Sequence, residues 1–202
     1  MDMHYFEDFE EMLEHLNDLL VRENASIEIR AIGGFAMMCN AQVMNFDSRN
    51  ASVDIDSYNQ YTDKIKGLIE EVANVFEVNK DWLNTDWRDE YLLKYYSEDG
   101  IILGLKEWKW VAFNEFNLSN ISITYANIEG IFAMKCRAIH ERILKREEPR
   151  LNDIVDALAI LKIDALENIP KVELSKVLDH FYLAKEHLNT ILETKGANKN
   201  EI

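Results

Sequence analysis

Apolar side chains at Phe9, Met12, Leu13, Leu16, Leu19 and Leu20 recur every three or four positions, which predicts an amphipathic helix that ends before Asn24. Its polar face is almost wholly acidic. Ile27 to Ile32 alternates apolar with other residues, the period of a strand, and runs through Gly33-Gly34 into FAMMCNAQVM, which reads as a helix. Val53 to Tyr58 (VDIDSY) predicts a second short strand, and Ile65, Leu68, Ile69, Val72, Ala73 and Phe76 mark a third helix. The chain therefore opens αβαβα. Residues 79–96 are aromatic and charged without a clean period, while Gly100 to Leu105, Trp110 to Phe116 and Ile121 to Tyr125 have strand character. From Asn127 onward the pattern is helical almost throughout, and the polar tail from Lys195 is expected to fray.

Aromatic content changes at the same point, since 18 of the 21 aromatic residues precede Asn127. The division predicted is an α+β core over residues 1–126, including the amino-terminal helix, and a helical carboxy-terminal domain over residues 127–202. A chain of 202 residues with 48% hydrophobic and 29% charged side chains supports a real core, which excludes disorder along its whole length. Only 7 glycines and 2 prolines favour long regular elements. The start, MDMHYFEDFEEM, is acidic and lacks an apolar stretch, and no apolar run reaches the roughly 18 residues of a membrane span. A cytoplasmic location is the expectation. Cys39 and Cys136 fit no paired metal spacing and are expected to be packed free thiols.

A net charge of −15 repels nucleic acid in general, so any such contact needs a local basic patch. Residues 131–150 hold six basic side chains against three acidic ones, a net of +3 on a chain that carries −18 elsewhere. Within this segment Lys135 falls on the apolar face with Ile128, Ile131, Phe132 and Ile139, where a lysine is out of place unless its ammonium reaches water or a counter-charge. Arg142 and Arg146 follow on the same side, a surface along which RNA can lie.

Asp54 and Asp56 are one apolar residue apart in a predicted strand, so both carboxylates face one way, close enough to share Mg²⁺. Alone, this spacing also describes a solvated strand face. Gly33-Gly34 stands where a strand meets a helix, a place where backbone N–H groups can approach phosphate, although a tight turn would use the same residues. A glycine pair after the first strand and an acid pair on the second set a phosphate cradle beside metal carboxylates. Asp153 opens a helix whose buried stripe is expected to be Leu151, Ile154, Val155, Leu158 and Leu161, with Asp153 facing away, where it also complements the helix dipole. His140 has no ligand set near it in the sequence and is assigned no role.

The ordered set Gly33-Gly34, Arg49-x-x-Ser52-x-Asp54-Ile55-Asp56, Ala133-Met134-Lys135-Cys136-Arg137-Ala138 and Arg150-Leu151-Asn152-Asp153-Ile154 resembles the AbiEii-like nucleotidyltransferases of the DNA polymerase β-type superfamily. The resemblance spans roughly residues 26–165, and Asp81-Trp82-Leu83-Asn84 looks like a feature of a bacterial branch of that group. It implies a mixed-sheet core followed by helices, with a nucleoside triphosphate and Mg²⁺ as ligands. For several members it also implies a toxin's role beside an antitoxin protein, or a role in phage defence. Position by position, Gly33 and Gly34 match the phosphate loop, Asp54 and Asp56 the metal-binding pair, Lys135 the lysine near the nucleotide, and Asp153 the late acid; Arg49 and Ser52 match flanking positions. Two departures stand out: a glycine replaces the commoner serine in the loop, and the strand Ile121 to Tyr125, where a third carboxylate is sought, has no acid, with Glu115 a poor substitute. Two readings follow, a nucleotidyltransferase acting on RNA or protein and a module of the same fold that binds nucleotide or a partner without turnover.

Overall fold

The computed structural model describes residues 3–48, 50–84, 110–165 and 171–197. Arg49 and the strand expected over Gly100 to Leu105 lie outside the described residues. The chain divides into two compact units, Met1–Asn127 and Ile128–Ile202. The first is α+β: α1 (Phe6–Arg22), β1 (Ile27–Ile32), α2 (Gly33–Met44), β2 (Ile55–Ser57), α3 (Asp63–Phe76), β3 (Leu83–Asn84), β4 (Trp110–Phe113) and β5 (Ile121–Ala126). The second holds α4 (Ile128–Leu144), α5 (Leu151–Ala165), α6 (Lys171–His180) and α7 (Tyr182–Ala197). Among the described residues no helix is long and apolar enough to cross a membrane.

The five strands form one mixed sheet in the order β3-β2-β1-β5-β4. β1 runs parallel to β5 and antiparallel to β2, β2 runs parallel to β3, and β4 runs antiparallel to β5. Strand alternation assigns the two faces. Ile27, Ile29, Ala31, Ile121, Ile123, Tyr125 and Phe113 share the apolar face and are buried. Phe9 of α1 meets Phe35 of α2 with ring centroids 5.2 Å apart, and Phe35 meets Phe113 of β4 at 6.3 Å, so the two helices close over this face. The six apolar positions that predict α1 are the six buried ones. Burying side chains of this size contributes about 1.5–3 kcal/mol each, which is what holds so acidic a helix in place. The other face carries Asp56, Arg30 and Thr124 and is only partly covered.

β2 is shorter than the strand expected over Val53 to Tyr58, because pairing with β1 begins only at Asp56 and Asp54 lies just before the ladder. β4 likewise stops at Phe113 rather than Phe116, where the chain turns. The tail expected to fray from Lys195 stays helical to Ala197, since extending a formed helix costs little per residue.

In the second unit α4 packs against α5, α6 and α7. Ile131, Phe132, Cys136 and Ile139 of α4 are fully buried. The stripe expected on α5 is out of phase: Leu151 is 71% exposed and Val155 47%, whereas Asp153, Asp156, Ala157, Leu158 and Ile160 are buried. The reason is electrostatic and involves Lys135, as described below. Both cysteines are free and buried, and burial pushes each thiol well above its usual range.

Candidate active site

The turn from β1 into α2 needs its glycine. Gly33 adopts φ +62°, and a Cβ built there would overlap the Asp56 carboxylate at Oδ2. Both conditions follow from the sheet, because Ile32, the residue before Gly33, pairs with Asp56 in the antiparallel ladder. The acid on β2 thus rests against the backbone that opens α2. No side chain of the capping residue, Ile32, closes that helix end. Gly34 is the second residue of α2, and its missing side chain adds nothing to crowd the turn.

Asp54 is held from the opposite side. β3 lies parallel to β2 with Asn84 in register with Asp56, and the Asn84 Nδ2 donates to Asp54 Oδ2 at 2.7 Å. β3 is itself fastened to the first unit: the Ile55 N–H donates to Trp82 O at 2.7 Å, and the buried Trp82 indole donates to Ile69 O of α3 at 3.0 Å. The segment Asp81-Trp82-Leu83-Asn84 therefore has a mechanical role, with Trp82 anchoring the strand that presents Asn84. Burial raises the Asp54 carboxyl above the usual carboxylate range, the Asn84 hydrogen bond opposes this, the Asp81 charge adds to it, and His4 pulls it back.

Ser52 is buried and pinned through its backbone, which exchanges two hydrogen bonds with His4 at 2.7 and 2.9 Å. Arg49 lies outside the described residues. The strand Ile121 to Tyr125, where a third carboxylate is sought, lies on the far side of β1 from the acid pair. β5, Ile121–Ala126, pairs with β1 and β4, so it does not border the acid pair; β3 does, and its residue in register is the amide Asn84. Among the described residues no group of three or more His, Cys, Asp or Glu side chains converges to hold a metal ion. A Cβ at Gly33 would fall on the Asp56 carboxylate, so that carboxylate fills the space beside the turn; two carboxylates such as Asp54 and Asp56 are the kind of donor that holds Mg²⁺ together with a substrate phosphate.

Lys135 does not snorkel to solvent. It is buried, and its Nζ lies 2.8 Å from Asp153 Oδ1 and 3.0 Å from Asp156 Oδ2. Asp153 and Asp156, three residues apart on one face of α5, turn inward to meet it, and this sets the phase of the helix against its apolar pattern. Arg142 forms an ion pair with Glu147 at 3.3 Å and donates to Glu148 O at 2.7 Å, while Arg146 is exposed. His140 is half-buried with its Nδ1 unbonded. Burial, the His180 charge next and against an opposing Glu141, lowers its affinity for a proton.

The residues missed in the sequence are Asp156 and an aromatic and cationic cluster beside β1, and the role of Asn84, marked there only as part of Asp81-Trp82-Leu83-Asn84. Tyr58 and Trp110 approach to 5.8 Å between ring centroids, and the Arg30 guanidinium lies 5.9 Å from the Trp110 ring. The spacing Asp153-x-x-Asp156, read with a lysine on an apolar face, was a usable signal for the buried triad. For Asn84 the motif gave the place but not the role, because the role depends on pairing between strands. No protein-family model, curated protein or solved structure matches this chain.

Proposed function

We propose that the first unit is a Mg²⁺-dependent nucleotidyltransferase that moves a nucleotidyl group from a nucleoside triphosphate to RNA or protein. The observation that carries this reading is the Asp56 carboxylate packed against Gly33, which sets one acid of the pair beside the glycine turn. The ordered resemblance to the AbiEii-like nucleotidyltransferases supports it, and with it a role as the toxin of a toxin–antitoxin or phage-defence pair. Asp54 and Asp56 would hold Mg²⁺, which neutralises charge on the triphosphate. The backbone N–H groups that open α2 at Gly33 and Gly34 would receive phosphate oxygens once Mg²⁺ offsets the charge of the Asp56 carboxylate beside them. The Asn84 amide holds one oxygen of the Asp54 carboxylate through its hydrogen bond. In the transfer, an acceptor hydroxyl oxygen forms a bond to the α-phosphorus, the bond from that phosphorus to the β-bridging oxygen breaks, pyrophosphate leaves with the electron pair, and the hydroxyl proton goes to solvent. Lys135 and Asp153 act as a pair in this reading, as a fixed charge arrangement, and exposed Arg146 with Arg142 offers a contact for RNA.

A second reading is a module that binds nucleotide or a partner protein without turnover, favoured by an amide, Asn84, as the residue beside the acid pair. Calorimetry with each nucleoside triphosphate, with and without Mg²⁺, tests what the two readings share. Asp54→Asn with Asp56→Asn should weaken Mg²⁺-dependent binding by about tenfold or more with an unchanged circular dichroism spectrum. Labelled triphosphate offered with total RNA or protein then separates them: label in a macromolecule supports the enzyme, while binding without transfer of any of the four ribonucleotides leaves the module.

A further inference from the structure

α6 and α7 meet at one residue, Phe181, and nothing in the local sequence ends a helix there. Residues 174–190 hold no glycine or proline, and the buried side chains Leu174, Val177, Phe181, Ala184 and Leu188 keep a helical spacing straight through the junction. Taken alone, this stretch is one continuous helix. The structure breaks it all the same, and an ion pair spans the break: Lys185 Nζ lies 2.7 Å from Asp179 Oδ1, although residues six apart do not face each other on a regular helix. A contact from another element must therefore hold it. α4 supplies one with His140, whose ring centroid lies 5.7 Å from that of Phe181 and 5.3 Å from that of Tyr182, each pair steeply inclined. His180 meets the same Phe181 ring at 4.7 Å. The His140 Nδ1 is shut off from water and has no hydrogen-bond partner.

We propose that the junction at Phe181 is a hinge that His140 locks only while its imidazole is neutral, so that mild acid releases α6 and α7 from α4. This goes beyond the nucleotidyltransferase reading and does not depend on it. A neutral ring leaves a lone pair at the buried Nδ1, which the apolar setting tolerates at modest cost. A charged ring puts an N–H there with no acceptor, which costs far more. The surrounding groups offer little relief. α6 presents His180, whose positive charge opposes a second one; α7 presents Tyr182 and, one turn on, Lys185, already held by Asp179; on α4 itself Glu141 is engaged by Arg137 at 2.8 Å. Burial first, then His180, hold the His140 proton affinity below the usual histidine range against the pull of Glu141. The closed junction is therefore unpenalised above about pH 6.5, the ordinary histidine value, and loses stability as pH falls below it, because the open state takes the proton more readily.

Hydrogen exchange on the full chain, read by mass spectrometry and corrected for the intrinsic rate at each pH, tests this at about pH 7.5 and about pH 5. Wild-type protection over 177–188 should fall by about fivefold or more in acid, as one unit of difference in proton affinity between open and closed states gives, while α5 over 151–163 should change less. His140→Phe keeps an aromatic ring that takes no proton and should hold its protection equally at both pH values. NMR titration of the wild-type imidazole needs no variant and should place His140 below about 6.5. If His140→Phe is unfolded by circular dichroism, the titration decides. A His140 titration at or above that value overturns the hinge. So does an equal acid loss in the folded His140→Phe variant, or a loss that His180→Gln removes and His140→Phe does not.

Discussion

Asp54 shows what a buried carboxylate costs the fold. Its carboxyl is raised above the usual range chiefly by burial, so the native state binds that proton more tightly than the unfolded chain does. A group of this kind contributes stability below its unfolded value, about 3.9 for aspartate, and loses it as pH rises through the higher folded value. Ionised Asp54 is therefore a net cost at neutral pH. Asp54→Asn removes the charge and leaves an amide oxygen to accept from Asn84. In metal-free buffer its melting temperature should exceed that of wild type at about pH 7.5, and the difference should vanish near about pH 3.5, where the wild-type carboxyl is protonated in both states. A variant less stable than wild type at neutral pH would show that the Asn84 contact, rather than burial, governs the residue.

At the scale of elements, the pairing of α4 with α5 depends on one cation. Lys135 bridges Asp153 and Asp156, and the three charges are buried together. Removing the lysine leaves two carboxylates beside each other out of water, and breaking a buried ion pair in this way costs about 3–5 kcal/mol. Lys135→Ala should show that loss in urea unfolding at neutral pH. Lys135→Met, which keeps an apolar stem and removes the charge, should lose about as much; a Met variant as stable as wild type would mean that the lost stem packing, and not the charge, is what matters.

For the whole molecule the dominant fact is a net charge of −15, with the sign reversed only over residues 131–150. Three of the cations in that segment are tied to carboxylates, so they do little to offset the field of the remaining acids. Self-repulsion of this kind opposes compaction and is screened by salt. Raising NaCl from about 0.01 M to about 0.15 M shortens the screening length from about 30 Å to about 8 Å. The melting temperature should rise by about 2–4 °C, the shift that about 1 kcal/mol produces in a chain of this size. A fall would show that exposed pairs such as Lys64 with Glu23, 2.8 Å apart, outweigh the general repulsion.

The sequence by itself determined the α+β class, the order αβαβα and the buried face of α1, because each rests on a local period in which apolar residues repeat along one element. It also marked Gly33 and Asp56, whose meeting follows from one short connection and one antiparallel register. Only the tertiary structure decided which strand borders the acid pair. Strand order is set by pairing between distant segments, and nothing in the period of Ile121–Ala126 or Leu83–Asn84 says which of them lies beside β2. Asn84 became a partner of Asp54 through that choice. The phase of α5 was decided the same way: its apolar pattern alone turns Leu151 and Val155 inward, but the buried Lys135 needs counter-charges, and satisfying an ammonium out of water outweighs burying two aliphatic side chains that solvent tolerates.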